Sequence, residues 1–387
     1  MSIPLAYNLR NLVVRKTTTI MTALGIGLTV AVLLAVLSMV DGLRTTLAAT
    51  GDPLQIVVLR KGSESEIVSN FTRIQFCDLL FTPGIAVGQD GRPLASLEVV
   101  SVINLSASKG GEGTNIVVRG LQPAGLEMRR GIKIVSGRWF EKGHRELVVG
   151  KEVAAHHPEA ALGRKLRFGR GDWDIVGVMD AGRGAQGSEI WGDLDQVASD
   201  LQRMETLSSA LVRASDAVAA QALMNSINND QRLNMNAVAE PEYYAAQTAS
   251  AAPIEYIGIF VAIVMAIGSG FAAMNTMYAA VARRSREIGT LRVLGFSKGS
   301  ILTSFFLESV LLSAIGGVLG CLMVLPLNGM TTRIGNSNFA ETAFGFHVSL
   351  EIMLIGIAFA VSLGAIGGLF PASNAARKEI LVALRQV

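Results

Sequence analysis

The chain has 387 residues, of which 50% are hydrophobic and only 17% charged, and its mean hydropathy is +0.43. These values exclude an ordinary soluble globule and point to an integral membrane protein with a substantial soluble portion. The net charge is only +3, the basic residues gather at the ends of apolar stretches, and the 6% of aromatics are not interleaved with them, which excludes a nucleic-acid partner.

Residues 1–17 read as a cytoplasmic interfacial amphipathic helix. Leu5, Leu9, Leu12 and Val13 share one helical face, Asn8, Arg10, Asn11 and Arg15 occupy others, and Pro4 suits a first turn. The same pattern also fits a longer first helix protruding into the cytoplasm. Residues 18–40 form the first predicted transmembrane helix and carry no charge. This run of about 23 residues exceeds the h-region of a cleaved signal peptide, so it reads as an uncleaved signal anchor.

Residues 41–252 are the predicted soluble insert. Strand-like runs fall at Leu54–Leu59, Asn115–Arg119, Ile132–Val135, Glu146–Val149, Lys165–Phe168, Trp173–Val178, Ala210–Arg213 and Met235–Ala239, with a helix over Asp216–Ile227. Strands followed by a helix and another strand predict an α+β domain with a mixed sheet. Gly182–Gly187 reads as a flexible loop, and Glu242–Ala252 as a stalk extending the second span. Cys77 in the insert and Cys321 in a span should not pair, and both read as buried small hydrophobes. His156 and His157 are adjacent, lack HExxH or CxxC company, and read as a surface pair rather than metal ligands.

The second span is 253–282. Residues 283–299 follow as a predicted cytoplasmic helix, with Arg283, Arg284, Arg286, Arg292 and Lys298 marking the inner side of the membrane. Ile288, Leu291 and Leu294 fall three apart and give it an apolar edge, Gly295 can end it, and Ser297 can cap the next helix. A rigid helix held at that face suggests a docking surface for a soluble partner. The third span, 300–330, has one charge, Glu308, about eight residues in and so roughly 12 Å deep. Glu308 reads either as a proton or coupling site, or as a carboxyl that snorkels or bonds to a neighbouring helix. Residues 331–351 are an extracytoplasmic loop, 352–376 the fourth span, and 377–387 a basic cytoplasmic tail. The pairs Gly316/Gly320 and Gly364/Gly368 let another helix approach closely, within one bundle or between two subunits. The distribution of Lys and Arg predicts both termini inside and residues 41–250 outside.

No Walker A pattern occurs, so the chain does not carry its own phosphate-cradling ATP loop. Gly295–Gly299 matches GxSxG, but a helix rather than a strand precedes it, and all four histidines fall on the opposite side of the membrane. No catalytic, metal or cofactor-binding residues are expected.

Three stretches resemble the FtsX-like/MacB-type ABC transporter permease family. RRSREIGTLRVLGFSKGSILTSFFLESVLLSAIGGVLG at 283–320 is similar to its arginine-rich REIG–LRALG run and the span that follows. PASNAARKEILVALR at 371–385 resembles its closing segment, and SGRWFEKGHRELVVGKEVA…LGRKLRFG…WDIVGVM at 136–179 resembles its exported domain. The resemblance implies a multi-pass protein of the bacterial inner membrane, a homodimer of four-helix subunits working with a separate cytoplasmic ABC ATPase that binds the ATP and Mg. The 283–299 element would be the coupling helix, with Arg284, Arg286, Glu287, Ile288, Leu291, Arg292, Leu294 and Phe296 at the ATPase contact. The resemblance further implies transmitted motion rather than a substrate pore, a periplasmic membrane-fusion adaptor, and export or release of a lipid, peptide or drug-like compound. The chain looks more like stand-alone permeases than fused macrolide exporters. Two other classes stand beside this reading: an FtsX-like signalling scaffold that activates an external cell-wall hydrolase, and a lone receptor without an ATPase.

Overall fold

The computed structural model describes residues 14, 16–105, 114–129, 131–247, 252–336 and 339–377. The expected interfacial helix at the N-terminus and the basic tail lie almost wholly outside these residues. In chain order the elements are α1 (Lys16–Ala48), β1 (Gln55–Arg60), α2 (Arg73–Leu80), β2 (Ala95–Leu105), β3 (Thr114–Leu121), α3 (Pro123–Met128), β4 (Lys133–Gly137), β5 (Glu146–Gly150), α4 (Lys151–His156), β6 (Lys165–Phe168), β7 (Gly171–Asp180), β8 (Glu189–Asp193), α5 (Leu194–Asp200), β9 (Ser209–Arg213), α6 (Ala217–Asn229), β10 (Met235–Ala239), α7 (Glu240–Gln247), α8 (Ala252–Arg283), α9 (Ser285–Val293), α10 (Lys298–Val324), β11 (Thr331–Asn336), β12 (Phe339–Gly345) and α11 (Leu350–Arg377). They form two units, a helical unit of residues 1–42, 251–330 and 346–387 and a sheet domain of residues 43–250 and 331–345.

In the helical unit, α1, α8, α10 and α11 are long and apolar enough to cross a membrane. Ile26, Val30 and Leu34 of α1 pack with Cys321 and Val324 of α10, Ile352 and Ala360 of α11, and Ala273 of α8. Small residues set the spacing. A Cβ on Gly316 would stand 2.9 Å from the Ile26 side chain, and one on Gly320 would stand 2.7 Å from the Gly27 carbonyl, so this pair seats α10 on α1. Gly364 and Gly368 of α11 face Ser313 and Ser309 of α10, and Ser309 Oγ donates to the Gly364 carbonyl at 2.7 Å. Both glycine pairs therefore pack inside one bundle, where close backbone approach gains the van der Waals contact that lipid cannot drive by exclusion. Gly320→Val is expected to overpack this seam by about 1–3 kcal/mol and to lower the melting temperature of the detergent-solubilised protein. Gly268→Ala, where a Cβ meets nothing within 4 Å, should leave that temperature unchanged.

The sheet domain is built on one mixed sheet in the order β10-β1-β9-β2-β3-β8-β5-β7-β4, with β6 pairing the β7 margin. The pairs β3/β8 and β5/β7 are parallel and the others antiparallel. β1, QIVVLR, lies inside the sheet and is buried on both faces up to its last residue, as its unbroken apolar run requires. β7 alternates buried and more exposed positions, the signature of a strand with one covered face. Phe168 pairs Gly171, leaving Gly169-Arg170 as a two-residue turn in which Gly169 takes φ +61°.

Several expectations are corrected here. Ile132–Val135 and its neighbours do form strands, but β2 and β8 were not foreseen, and both carry a buried glutamate. The supposed flexible loop at 182–187 runs into a 3-10 turn whose Gln186, Gly187 and Ser188 are buried. Of the expected stalk, residues 242–247 belong to α7, whose Tyr243 and Tyr244 are buried in the domain, and residues 248–251 lie outside the described residues. Residues 331–351 are not a plain loop but contain the β11–β12 hairpin, with Ala343 N–H donating to Ser188 Oγ at 2.9 Å. Cys77 is exposed rather than buried, and His157 is buried rather than on the surface.

The domain core also holds charge. Arg119 of β3 is 2% exposed and donates five hydrogen bonds at 2.7–3.0 Å to Glu66, Glu98 and Glu189. Arg129 adds two more bonds to Glu98, at 2.6 and 2.9 Å. Burial alone would push Glu98 and Glu189 up, but the adjacent guanidinium charges override it and hold both below the usual carboxylate range.

Candidate functional site

The site is α9 and the corner that carries it. α9 is nine residues long, with Glu287 in its first turn and Arg292 in its last, each of the sign that suits the helix dipole. Its end follows local chemistry. Leu294 is the C-cap, Gly295 follows at φ +92°, a conformation with no Cβ penalty only for glycine, and Phe296 N–H donates to the Leu291 carbonyl. Ser297 then caps α10, its hydroxyl accepting from Ser300 N–H at 3.2 Å. The GxSxG serine is thus a helix cap between two helices, not a nucleophile elbow.

The faces of α9 sort cleanly. Arg286, Glu287, Thr290, Val293 and Leu294 are exposed, at the i, i+3, i+4 spacing of one stripe. Ser285, Ile288 and Gly289 are buried, and Leu291, Arg292 and Phe296 are half-buried. Two sequence expectations change. Ile288 does not belong to an outward apolar edge but packs among Met277, Val281, Ile301, Phe305, Ala372 and Ala375. Arg284 is not on the outer face either: it is 2% exposed and its Nη1 donates to Glu308 Oε2 at 2.7 Å. A charge at this depth is stable only when paired, and each of these two residues supplies the other's counter-charge. Glu308 is therefore bonded to the corner of a neighbouring helix, one of the readings its sequence position allowed. Leu294, expected at the contact, is 65% exposed, and Val293, at 64%, joins it in an outward apolar end to which the sequence reading had not assigned Val293. Its spacing from Arg286 and Thr290 is the signal that places it there.

Four helices long and apolar enough to cross a membrane, a mixed-sheet domain inserted after the first of them, and a short helix between the second and third define the architecture of a polytopic membrane protein. Residues 19–230 match the MacB-like periplasmic core domain, and residues 259–380 match the FtsX-like permease C-terminal family. The chain belongs to the FtsX-like/MacB-type family of ABC transporter permeases. It is 24% identical over 404 residues to the ABC transporter permease YknZ of Bacillus subtilis (strain 168), covering 97% of each chain. It is 26% identical over 287 residues to the macrolide export ATP-binding/permease protein MacB of Pasteurella multocida (strain Pm70), covering 70% of this chain and 43% of that protein. The crystal structure of the extracellular domain of YknZ from Gram-positive bacteria aligns with 48% of this chain and 99% of its own, at a TM-score of 0.35 and 17% identity.

Proposed function

We propose that the chain is the permease subunit of an ABC transporter of the inner membrane, with both termini cytoplasmic and α9 as the contact for a separate ATPase. That ATPase binds ATP and Mg, and its hydrolysis cycle moves the exported sheet domain. In the working assembly two copies of the chain associate, a periplasmic membrane-fusion adaptor docks on the exported domain, and a lipid, peptide or drug-like compound is exported or released. The observation that carries this reading is the division of α9. Its inner face is fixed by Ile288 to the bundle, while Arg286, Glu287, Thr290, Val293 and Leu294 stand exposed on a helix too short to be stable without packing.

Reversing the exposed charges tests it. The double variant Arg286→Glu, Glu287→Lys should lower affinity for the co-expressed ATPase by about tenfold or more, because like charges placed across an interface repel. Membrane insertion and sheet-domain folding should be unchanged. Co-purification in detergent at physiological salt reads the affinity, and unaltered recovery of the ATPase would remove α9 from the contact.

A further inference from the structure

Arg284 is the one residue between Arg283, the last of α8, and Ser285, the first of α9. Its backbone, at φ −102° and ψ 14°, makes the corner at which the chain turns. From that corner the guanidinium reaches inward to Glu308, which is 6% exposed and lies about 15 Å along α10 from Lys298. The guanidinium carbon also sits 5.7 Å from the ring centroid of Phe305, one turn earlier on α10. The other end of α9 reaches α10 through the Gly295–Ser297 turn. So α9 meets α10 through a charged contact at its start and through the chain itself at its end, with Ile288 packed on Ile301 and Phe305 between them.

The two kinds of contact differ mechanically. Apolar packing, as at Ile288, is non-directional and lets helices slide. A charge-assisted hydrogen bond fixes distance and angle, and a buried charge cannot leave its partner without a large solvation penalty. We propose that the Arg284–Glu308 pair is a positioning clasp that makes α9 and α10 one lever. Load on the exposed face of α9 is then delivered to the third span instead of being absorbed by bending at the corner. This rests on the reading of α9 as the ATPase contact.

Single substitutions would strand a buried charge and risk misfolding, so the test uses pairs. Arg284→Met with Glu308→Met removes the clasp but keeps apolar volume, a replacement that buried ion pairs commonly tolerate. Arg284→Glu with Glu308→Arg rebuilds it in reverse. In a background of Cys77→Ser and Cys321→Ala, spin labels are placed at Val293→Cys on α9 and Leu322→Cys on α10, both exposed positions. The full chain, diluted with unlabelled copies in nanodiscs, is measured by pulsed dipolar spectroscopy. The parent is expected to give a narrow distance distribution, the neutral pair a broad one, and the reversed pair a narrow one again. Superimposable distributions for parent and neutral pair, or a reversed pair as broad as the neutral one, overturn the clasp. In complex with the ATPase, the neutral pair should co-purify normally yet lose the permease-dependent change in ATP turnover by about fivefold or more, and the reversed pair should restore it. Full coupling in the neutral pair overturns the lever. The distance measurement needs no ATPase, so failure of the clasp is separable from failure of the ATPase contact, which the charge-reversed α9 variant reports.

Discussion

Arg119→Met is expected to unfold the sheet domain or cost it at least about 3–5 kcal/mol, the penalty for breaking a buried ion cluster by removing one partner. The residue is surrounded rather than merely paired. Its Nε and Nη2 hold both oxygens of Glu189 at 2.9 and 3.0 Å, Nη1 and Nη2 hold both oxygens of Glu66 at the same distances, and Nη1 reaches Glu98 at 2.7 Å. Without it, the three buried carboxylates would be left with Arg129, which bonds only Glu98 among them, and with two neutral donors, Ser209 Oγ to Glu66 and Trp191 Nε1 to Glu189. Arg119→Lys should fail nearly as badly, because one ammonium cannot engage two carboxylates in bidentate fashion. An exposed control separates this from any general effect of charge. Arg138 pairs with Glu146 at the surface, and Arg138→Ala should fall within about 1 kcal/mol of the parent. Pulse proteolysis of the full chain in nanodiscs, followed at the sheet domain, measures all three. A parent-like Arg119→Met would mean that the buried carboxylates take up protons at no cost. In that case its stability should not respond to acidification, whereas the ion-cluster account requires partial recovery as the carboxylates are protonated.

The same cluster explains what could be read from the sequence and what could not. The caps of α9 and α10 were legible because Gly295 and Ser297 act on backbone groups within three residues of themselves. The four spans were legible because their length and composition are imposed by the bilayer. β2 and β8 were not, because Glu98 and Glu189 look like surface charges that interrupt a strand. Their partner, Arg119, stands 21 and 70 residues away in the chain, and nothing local announces the pairing. Arg284 misled for the same reason. Among five basic residues it reads as one more marker of the inner face, and only the fold turns it toward Glu308, 24 residues on. The hairpin at 331–345 was missed because Thr331, Thr332 and Arg333 carry no apolar alternation, the usual mark of a half-buried strand. Burial of polar groups by distant partners is thus the recurrent blind spot, and it falls on the residues that matter most to the site.

Glu240→Gln is expected to stabilise the sheet domain at pH 8 by about 3 kcal/mol and to change it little near pH 4.5. Glu240 is 2% exposed at the start of α7, and its Oε2 accepts from Asp52 N–H at 3.0 Å. Gly51 beside it packs so closely that a Cβ there would stand 2.6 Å from Pro241 N, and Asp52 Oδ2 takes Arg213 Nη1 at 2.8 Å. The strand leaving α1 and the strand feeding α7 are therefore tied together at this point. Burial pushes the Glu240 carboxyl up to about 7 from 4.5, with Arg129 and the Asp52 amide opposing and Glu98 assisting. A carboxyl raised in the folded state binds its proton more tightly there than in the unfolded chain. Its contribution is fully present below pH 4.5, declines as the pH rises, and is gone above about pH 7. Glu98 and Glu189, held low by the guanidinium charges, titrate below that window and do not mask it. Glutamine keeps an oxygen for the Asp52 amide but has no proton to lose, so its stability should be flat from pH 5 to 8 where the parent declines. Hydrogen exchange at the β1 and β10 amides of the full chain, compared between the two proteins at each pH so that intrinsic exchange rates cancel, reads the difference. Parallel pH profiles would show that Glu240 is already ionised in the fold. The tie between the two strands would then rest on Arg213 and the close packing of Gly51 and Pro241, and would not loosen as the surroundings turn alkaline.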